Sequence, residues 1–400
     1  MDPVWLLLLL PVAAASGWYA ARQRQRQHKR VEPGALPAQV AYFRSLNFLL
    51  NEQHDQALDV LINALEDHEE TTEIQLALGS LFRRRGEIER ATQIHQSLIA
   101  RTGLDPQQRA LALFELANDY YKAGLLDRAE NLLLEVAGVG ELAEPAMRLL
   151  IQIYEQEKEW HSAIQVGQKL GAVTGEGLDS VIAHYHCELA EVQVGAGDYS
   201  SAQKHAQAAL DLDRDCARAT ILDGRLEALA GRHGEAVRVW SRIGRQRPEM
   251  LGEVLHLVES SYRSMENPGA FRGFLEQAIQ RSDDVRLVLA LADQLGAIRA
   301  SPEAERILLQ RLQGSVTLSG LHRLLELRAS DENSDVGQNE YGMLARLTGA
   351  LAAQESGYEC RCCGFRGKAM HWQCPGCRSW NTTLPRHPAP TLTHGDTYTK

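Results

Sequence analysis

The chain has no H-E-x-x-H, no G-x-S-x-G and no phosphate-binding loop, so it lacks the common signatures of zinc hydrolases, serine hydrolases and nucleotide-binding enzymes. One glycine pattern, Gly138-Val139-Gly140 through Ala143, imitates a dinucleotide loop. No strand precedes it, and it reads as a loop between helical units. Cysteine is scarce before residue 360, where only Cys187 and Cys216 occur; Cys360, Cys362, Cys363, Cys374 and Cys377 then fall within 18 residues. An odd, clustered set of seven excludes a secreted disulfide framework and points to a reducing compartment and a metal site. Basic charge is lacking in the middle. The net charge of −10 is the balance of −1 over residues 1–21, +5 over 22–30, +4 over 358–400 and therefore −18 between 31 and 357. Such acidity argues against nucleic acid as a partner there and suits solubility or basic protein partners.

No cation precedes the opening apolar run; Asp2 is the one charge before it, whereas Arg22, Arg24, Arg26, Lys29 and Arg30 come after it. Pro3 to Ala21 is uncharged, and Val4 to Leu10 is almost all leucine. Eighteen helical residues would span roughly 27 Å, near the thickness of a bilayer core. Trp5, Trp18 and Tyr19 lie where interfacial aromatic belts form, and Pro11 is tolerable as a kink. Ala13-Ala14-Ala15-Ser16 imitates a signal-peptide cleavage site, but a signal peptide carries its cations before the apolar run. Residues 1–21 are therefore predicted to be an uncleaved transmembrane anchor and 22–37 a basic juxtamembrane linker. The positive-inside rule places the chain beyond Arg22 in the cytoplasm.

The middle repeats itself. Alanines recur at Ala57, Ala91, Ala129, Ala163, Ala202, Ala236, Ala270 and Ala304, spaced by 34, 38, 34, 39, 34, 34 and 34. Thirteen residues earlier stand Leu78, Leu116, Leu150, Leu189, Leu257 and Leu291. One residue after that position are the small Ser45, Gly79, Ala117, Ala190, Gly224 and Ala292. Phe48, Phe82, Tyr120 and Tyr154 lie nine before the alanine; Gly86, Gly124, Gly197 and Gly231 lie five before it and mark a turn. This 34-residue order resembles the tetratricopeptide repeat, a pair of antiparallel helices crossing closely at the small residues. About eight units are predicted over 38–318, with the extra residues at 106–109 and 178–182 falling between units. The last two units fit least well, since Ser261, Leu295, Met265 and Arg299 stand at their aromatic and glycine positions. Two further helices within 319–357 would cap the array. His184, Cys187 and Glu188 share one helix face in the fifth unit; packing is the better reading of them than a metal site.

Residues 358–384 read YECRCCGFRGKAMHWQCPGCRSWNTTL. Cys360 and Cys363 form one C-x-x-C, Cys374 and Cys377 another, with ten residues between. Two such knuckles close a tetrahedral all-thiolate site for one ion, zinc or iron. Cys362 is surplus. Gly364, and Pro375 with Gly376, would provide the knuckles' special backbone angles. Phe365, Trp372 and Trp380 are expected to pack around the metal, because a segment this small builds no core without one. The ribbon's cations (Arg361, Arg366, Lys368, Arg378 and Arg386) could dock on the acidic array, or on headgroups, or stay solvated. The segment resembles a rubredoxin-like ribbon, and 385–400 reads as a disordered tail.

The order of anchor, basic collar, repeats and ribbon, with FRSLNFLLNEQHDQAL at 43–58, LALGSLFRRRGEIERATQIHQSL at 76–98 and C-x-x-C-G-F…C-P-x-C-R-x-W, resembles the lipopolysaccharide assembly protein B family of Gram-negative bacteria. The resemblance implies an all-α fold: transmembrane helix, tetratricopeptide-repeat superhelix and small C-terminal zinc ribbon, with Cys360, Cys363, Cys374 and Cys377 as metal ligands. It implies a non-enzymatic adaptor on the cytoplasmic side of the bacterial inner membrane. The implied partners are the lipid A-pathway deacetylase, a membrane-bound AAA+ zinc protease and other lipopolysaccharide synthesis or transport proteins. A structural platform without a proteolytic role, or an iron-dependent electron-transfer protein, are the rival readings.

Overall fold

The computed structural model describes residues 72–296, 302–314, 316–330 and 338–386, with single positions between 40 and 62. The predicted anchor at 1–21, the basic linker and residues 387–400 of the predicted disordered tail lie outside the described residues; the first two tail residues are ordered, since Pro385 closes the last strand and the Arg386 amide donates to the Gly357 carbonyl at 2.9 Å. Among the described residues no helix is long and apolar enough to cross a membrane. The chain divides into two compact units, Met1–Glu157 and Lys158–Lys400.

The first unit contains α1 (Thr72–Arg84), α2 (Ile88–Ile99), α3 (Pro106–Lys122), α4 (Leu126–Val136) and α5 (Ala143–Glu157). The repeat alanines Ala57, Ala91 and Ala129 are wholly buried. At α1 the small position is Gly79, and a Cβ there would come within 2.3 Å of the His95 ring on α2. His95 and Asp119 are fully buried and lie 2.5 Å apart, Nδ1 to Oδ2. Asp119 also accepts from Arg83 at 2.7 Å, and Arg83 reaches Glu115 at 2.5 Å. Burial works against the charge on Arg83, yet Glu115 and Asp119 hold its guanidinium above its ordinary range. The chain thus ties α1, α2 and α3 together with a paired polar network, the form in which charge is tolerated away from water.

The second unit contains α6 (Trp160–Thr174), α7 (Asp179–Ala196), α8 (Tyr199–Leu212), α9 (Ala217–Leu229), α10 (His233–Trp240), the short α11 (Ile243–Gln246), α12 (Leu251–Ser264), α13 (Pro268–Ala278), α14 (Val285–Gly296), α15 (Pro302–Gly314), α16 (Leu318–Ala329) and α17 (Gln338–Ala352). A three-stranded antiparallel sheet comes next, ordered β2-β1-β3, with β1 Tyr358–Cys360, β2 Arg366–Gly367 and β3 Thr383–Pro385. Ala163, Ala202, Ala236 and Ala304 are wholly buried. Gly224 on α9 repeats the Gly79 arrangement: a Cβ there would lie 2.2 Å from Nε1 of Trp240, which donates to the Ile221 carbonyl at 3.1 Å.

Three details depart from the simple period. The residues predicted to be inserted between units are helical except Leu178, which precedes its helix: Asp105 caps α3 by accepting from Gln107 and Gln108, so α3 runs 17 residues, and α7 runs 18, against 13 for α1. In the seventh unit Ala270 is only half-buried, and Phe271 takes the interior position at 3% exposure. The left-handed turn residue there is correspondingly Glu266, not Met265. One extra residue before the turn accounts for both shifts. In the fourth unit Lys158, with φ of 60°, holds the left-handed position that Gly86, Gly124, Gly197 and Gly231 hold elsewhere.

The opposition of Gly224 and Trp240 generates a test. Gly224→Ala should destabilise the chain by about 1–3 kcal/mol, the cost of overpacking a filled core. With Trp240→Leu in the same chain the second change should cost much less than it does alone, a coupling that chemical denaturation of the four-member cycle would measure.

Candidate metal centre

The ribbon is built from two knuckles of matching backbone. In the first, the Cys360 amide donates to the Phe365 carbonyl at 2.8 Å and the Gly364 amide to the Cys360 carbonyl at 2.9 Å. In the second, the Cys374 amide donates to Ser379 at 2.9 Å and the Arg378 amide to Cys374 at 2.8 Å. The residue after each second cysteine is left-handed, Gly364 at φ 74° and Arg378 at φ 59°. The sequence suggests Pro375 and Gly376 for that conformation; the structure assigns it to Arg378. Gly376 is small for another reason: a Cβ there would lie 3.2 Å from Cys363 Sγ and 3.8 Å from Cys374 Sγ.

The four predicted sulfurs converge. Those of Cys360, Cys363, Cys374 and Cys377 all lie within 4.8 Å of one another. Cys360 and Cys377 are 3.8 Å apart and Cys363 and Cys374 3.6 Å. Four sulfurs held ~2.3 Å from one tetrahedral ion would be about 3.8 Å apart, so the set fits a single ion without rearrangement. Cys362 is exposed, and its sulfur is not in the set. The Cys362 amide points at Cys360 Sγ from 3.4 Å, and the Thr382 hydroxyl lies 3.3 Å from the same sulfur. Hydrogen bonds from the Ser379 hydroxyl and amide push the Cys377 thiol down to about 6. The Phe365 amide acts the same way on Cys363, but desolvation and the three neighbouring sulfurs outweigh it and push that thiol up to about 12.

The tryptophans do not pack around the metal. Trp380 leaves the ribbon and enters an aromatic pocket on the helices, stacked on His184 with ring centres 5.3 Å apart and edge-on to Tyr185 at 5.7 Å and Trp160 at 6.1 Å. Trp372 lies 5.9 Å from His184, and the Arg218 guanidinium is 5.9 Å from its ring centre. Leu384 on β3 joins the buried cluster of Trp240, Met250, Leu251 and Val254. The Tyr358 hydroxyl on β1 donates to Glu253 at 2.8 Å, and Arg286 reaches both Glu253 at 2.8 Å and the Tyr358 oxygen at 3.1 Å. Only Phe365 stays in the ribbon, edge-on to His371. The ribbon's cations divide: Arg366 and Arg386 pair with Glu359 of the ribbon itself, whereas Lys368 donates to the Ala353 carbonyl after α17 at 2.8 Å and the Arg361 charge acts on Glu249 of the array. The ribbon thus sits on α6 and on the first helices of the next units, α7, α9, α12 and α14, through its aromatic and apolar side chains and the Tyr358 hydroxyl.

His184, Cys187 and Glu188 form no ligand set. His184 is buried under Trp372 and Trp380, Cys187 lies in the apolar cluster with Cys216, and Glu188 pairs with Arg218 at 2.8 Å. The docking residues Trp160, Tyr185, Arg218, Glu253 and Arg286 escape sequence reading. The available signal was an aromatic pair or a lone arginine among alanines at positions the repeat leaves free.

Burial, reinforced by the charges of Arg218 and Arg247, pushes His184 down from 6.5 to about 3. Between those two values protons bind the unfolded chain more readily than the folded one. Its contribution to stability is therefore whole above about 6.5 and falls as the pH drops towards 3. A His184→Gln chain should lose less melting temperature than the parent between pH 7 and pH 5; acid release of metal is common to both and cancels in the comparison. Trp380→Ala should lower unfolding stability by about 2–4 kcal/mol, at or just below the range for a wholly buried tryptophan. Elemental analysis should still find as much bound metal as in the parent chain, because no ligand is touched.

A family model described as a rubredoxin metal binding domain matches residues 358–383, and one described as a tetratricopeptide repeat matches 114–175 and 187–248. The chain is 33% identical over 380 residues to Lipopolysaccharide assembly protein B of Escherichia coli (strain K12), covering 95% of this chain and 97% of that one. It is 31% identical over 390 residues to the protein of the same name from Haemophilus influenzae (strain ATCC 51907 / DSM 11121 / KW20 / Rd), again covering 95% and 97%. With array and ribbon both inside the aligned span, the chain belongs to the lipopolysaccharide assembly protein B family.

Proposed function

We propose that the chain is an inner-membrane-anchored cytoplasmic adaptor that regulates lipopolysaccharide biosynthesis, bringing the lipid A-committing deacetylase to a membrane-bound AAA+ zinc protease. The observation that carries this reading is the whole-length match to relatives named for lipopolysaccharide assembly, which takes in the repeats and the ribbon together. Helical repeat arrays act by holding peptides and proteins. The run at 1–21 and the cations at 22–30 would confine the array to the protease's membrane, raising effective concentration without any new contact.

Cys360, Cys363, Cys374 and Cys377 would hold the ion, and zinc is the assignment we favour. Four thiolates leave a tetrahedral ion no open position, so its contribution is to fix the knuckles. Iron would fit the same sulfurs and would make the ribbon an electron carrier; a red, redox-active protein on purification would mark that case. The word "assembly" in the relatives' name supports one second reading, a platform that gathers synthesis and transport proteins with no part in proteolysis.

The deciding measurement is the half-life of the deacetylase after translation is stopped, with and without this chain. Longer persistence in its absence is the expected result; an unchanged half-life makes the platform the better reading. Removal of residues 1–21 should abolish the effect while the soluble array stays folded by circular dichroism. Normal regulation by that truncated chain would sink the confinement argument.

A further inference from the structure

Three histidines from three consecutive helices meet on the side of the array away from the ribbon. His161 is on α6, His186 on α7 and His205 on α8. The His186 and His205 rings are 5.5 Å apart, and those of His161 and His205 6.0 Å. Nδ1 of His186 faces Nδ1 of His205 at 3.2 Å. Two nitrogens ~2.0–2.1 Å from a tetrahedral ion would be about 3.3 Å apart, so this pair already has the separation of two ligands on one metal. His161 is exposed, and its nitrogens lie outside the 4.8 Å convergence that the four cysteine sulfurs reach. A rotation of its free side chain is what would bring it in. None of the three rings is paired with a carboxylate among the described residues.

We propose that His161, His186 and His205 form a second metal site, separate from the ribbon, that takes one divalent first-row transition ion through imidazole nitrogens. Imidazole suits zinc, nickel and copper, and three such ligands with a water complete a tetrahedron. Competition from protons is weak at neutral pH. Burial, with His205 and His161 beside it, lowers the pKa of His186, and burial with His161 does the same for His205. Both rings therefore hold a proton less readily than a free imidazole does, which favours the form with a lone pair to offer. His186 lies two residues from the ribbon-facing His184, which turns it by roughly 200° around the helix. The two sites thus occupy opposite sides of α7. His161 is next in sequence to Trp160 and His186 to Tyr185, two of the residues that receive Trp380. An ion here would pin together α6, α7 and α8, the helices behind that pocket.

The test uses the untagged full-length chain with its ribbon already loaded with zinc, titrated with zinc ion by calorimetry in a non-coordinating buffer. One further equivalent should bind. It should disappear in His186→Ala/His205→Ala and persist in His371→Ala, which removes a ribbon histidine instead. His161→Ala should weaken the added equivalent about tenfold or more, since loss of even an outer partner acts on that scale. Three outcomes would overturn the proposal. No second equivalent in the parent chain would leave the 3.2 Å contact as a hydrogen bond alone. Survival in the double variant would place the ion elsewhere, and full affinity in His161→Ala would remove the third ligand.

Discussion

The contact on which the second unit depends is the insertion of Trp380 between His184, Tyr185 and Trp160. A ribbon of fewer than thirty residues cannot bury enough apolar surface to order itself, and a metal ion fixes only the loops that hold it. Here the two needs are met by different parts. The cysteines set the knuckles, and the helices provide the apolar floor on which Trp372, Trp380, Met370 and Leu384 rest. Aromatic side chains of this size dominate the energetics of such contacts. The Tyr358–Glu253–Arg286 hydrogen bonds add directional contacts that orient the ribbon on α12 and α14.

This arrangement changes what the repeats can offer a partner. Arrays of this kind present the faces of their first helices as a binding surface. From α7 to α14 that face is covered by the chain's own ribbon. A partner addressing this stretch must meet the ribbon's outer side, where Cys362, Arg366 and the knuckle tips are exposed, or another face of the helices. Ribbon and array therefore form one surface, and damage to the cysteine cluster would be felt in the repeats as well as at the metal.

The sequence made the repeats legible because their determinant is local: an alanine every 34 residues is demanded by helix crossing, whatever lies outside. It failed at Ala270 because one added residue before the turn moved Phe271 into the interior, and the spacing of alanines alone does not register that. The sequence places the extra residues at 106–109 and 178–182 between units without assigning them a conformation, since a period reports extra length and not its shape. The four ligands were legible because a knuckle is made by neighbours in sequence. The tryptophans were misplaced for the converse reason. Trp372 and Trp380 are local to the ribbon, but their partners Trp160, His184, Tyr185 and Arg218 lie some 150 to 220 positions earlier in the numbering, where no short-range pattern reaches.

Arg218 shows how polar groups share the work of that interface. Its side chain is 4% exposed, paired with Glu188 at 2.8 Å and Glu191 at 3.1 Å, and one terminal nitrogen lacks a hydrogen-bond partner. Ion pairs buried this deeply seldom add net stability, because desolvation offsets most of the attraction. The geometry suggests a different use. With its charge held by two carboxylates on α7, Arg218 lies beside the Trp372 ring and next to neutral His184. A ribbon seated in another orientation would take that aromatic face away from the guanidinium and leave the buried charge with less compensation. Apolar contact makes docking favourable, while the buried arginine penalises the alternatives, so the ribbon has one seat and not several.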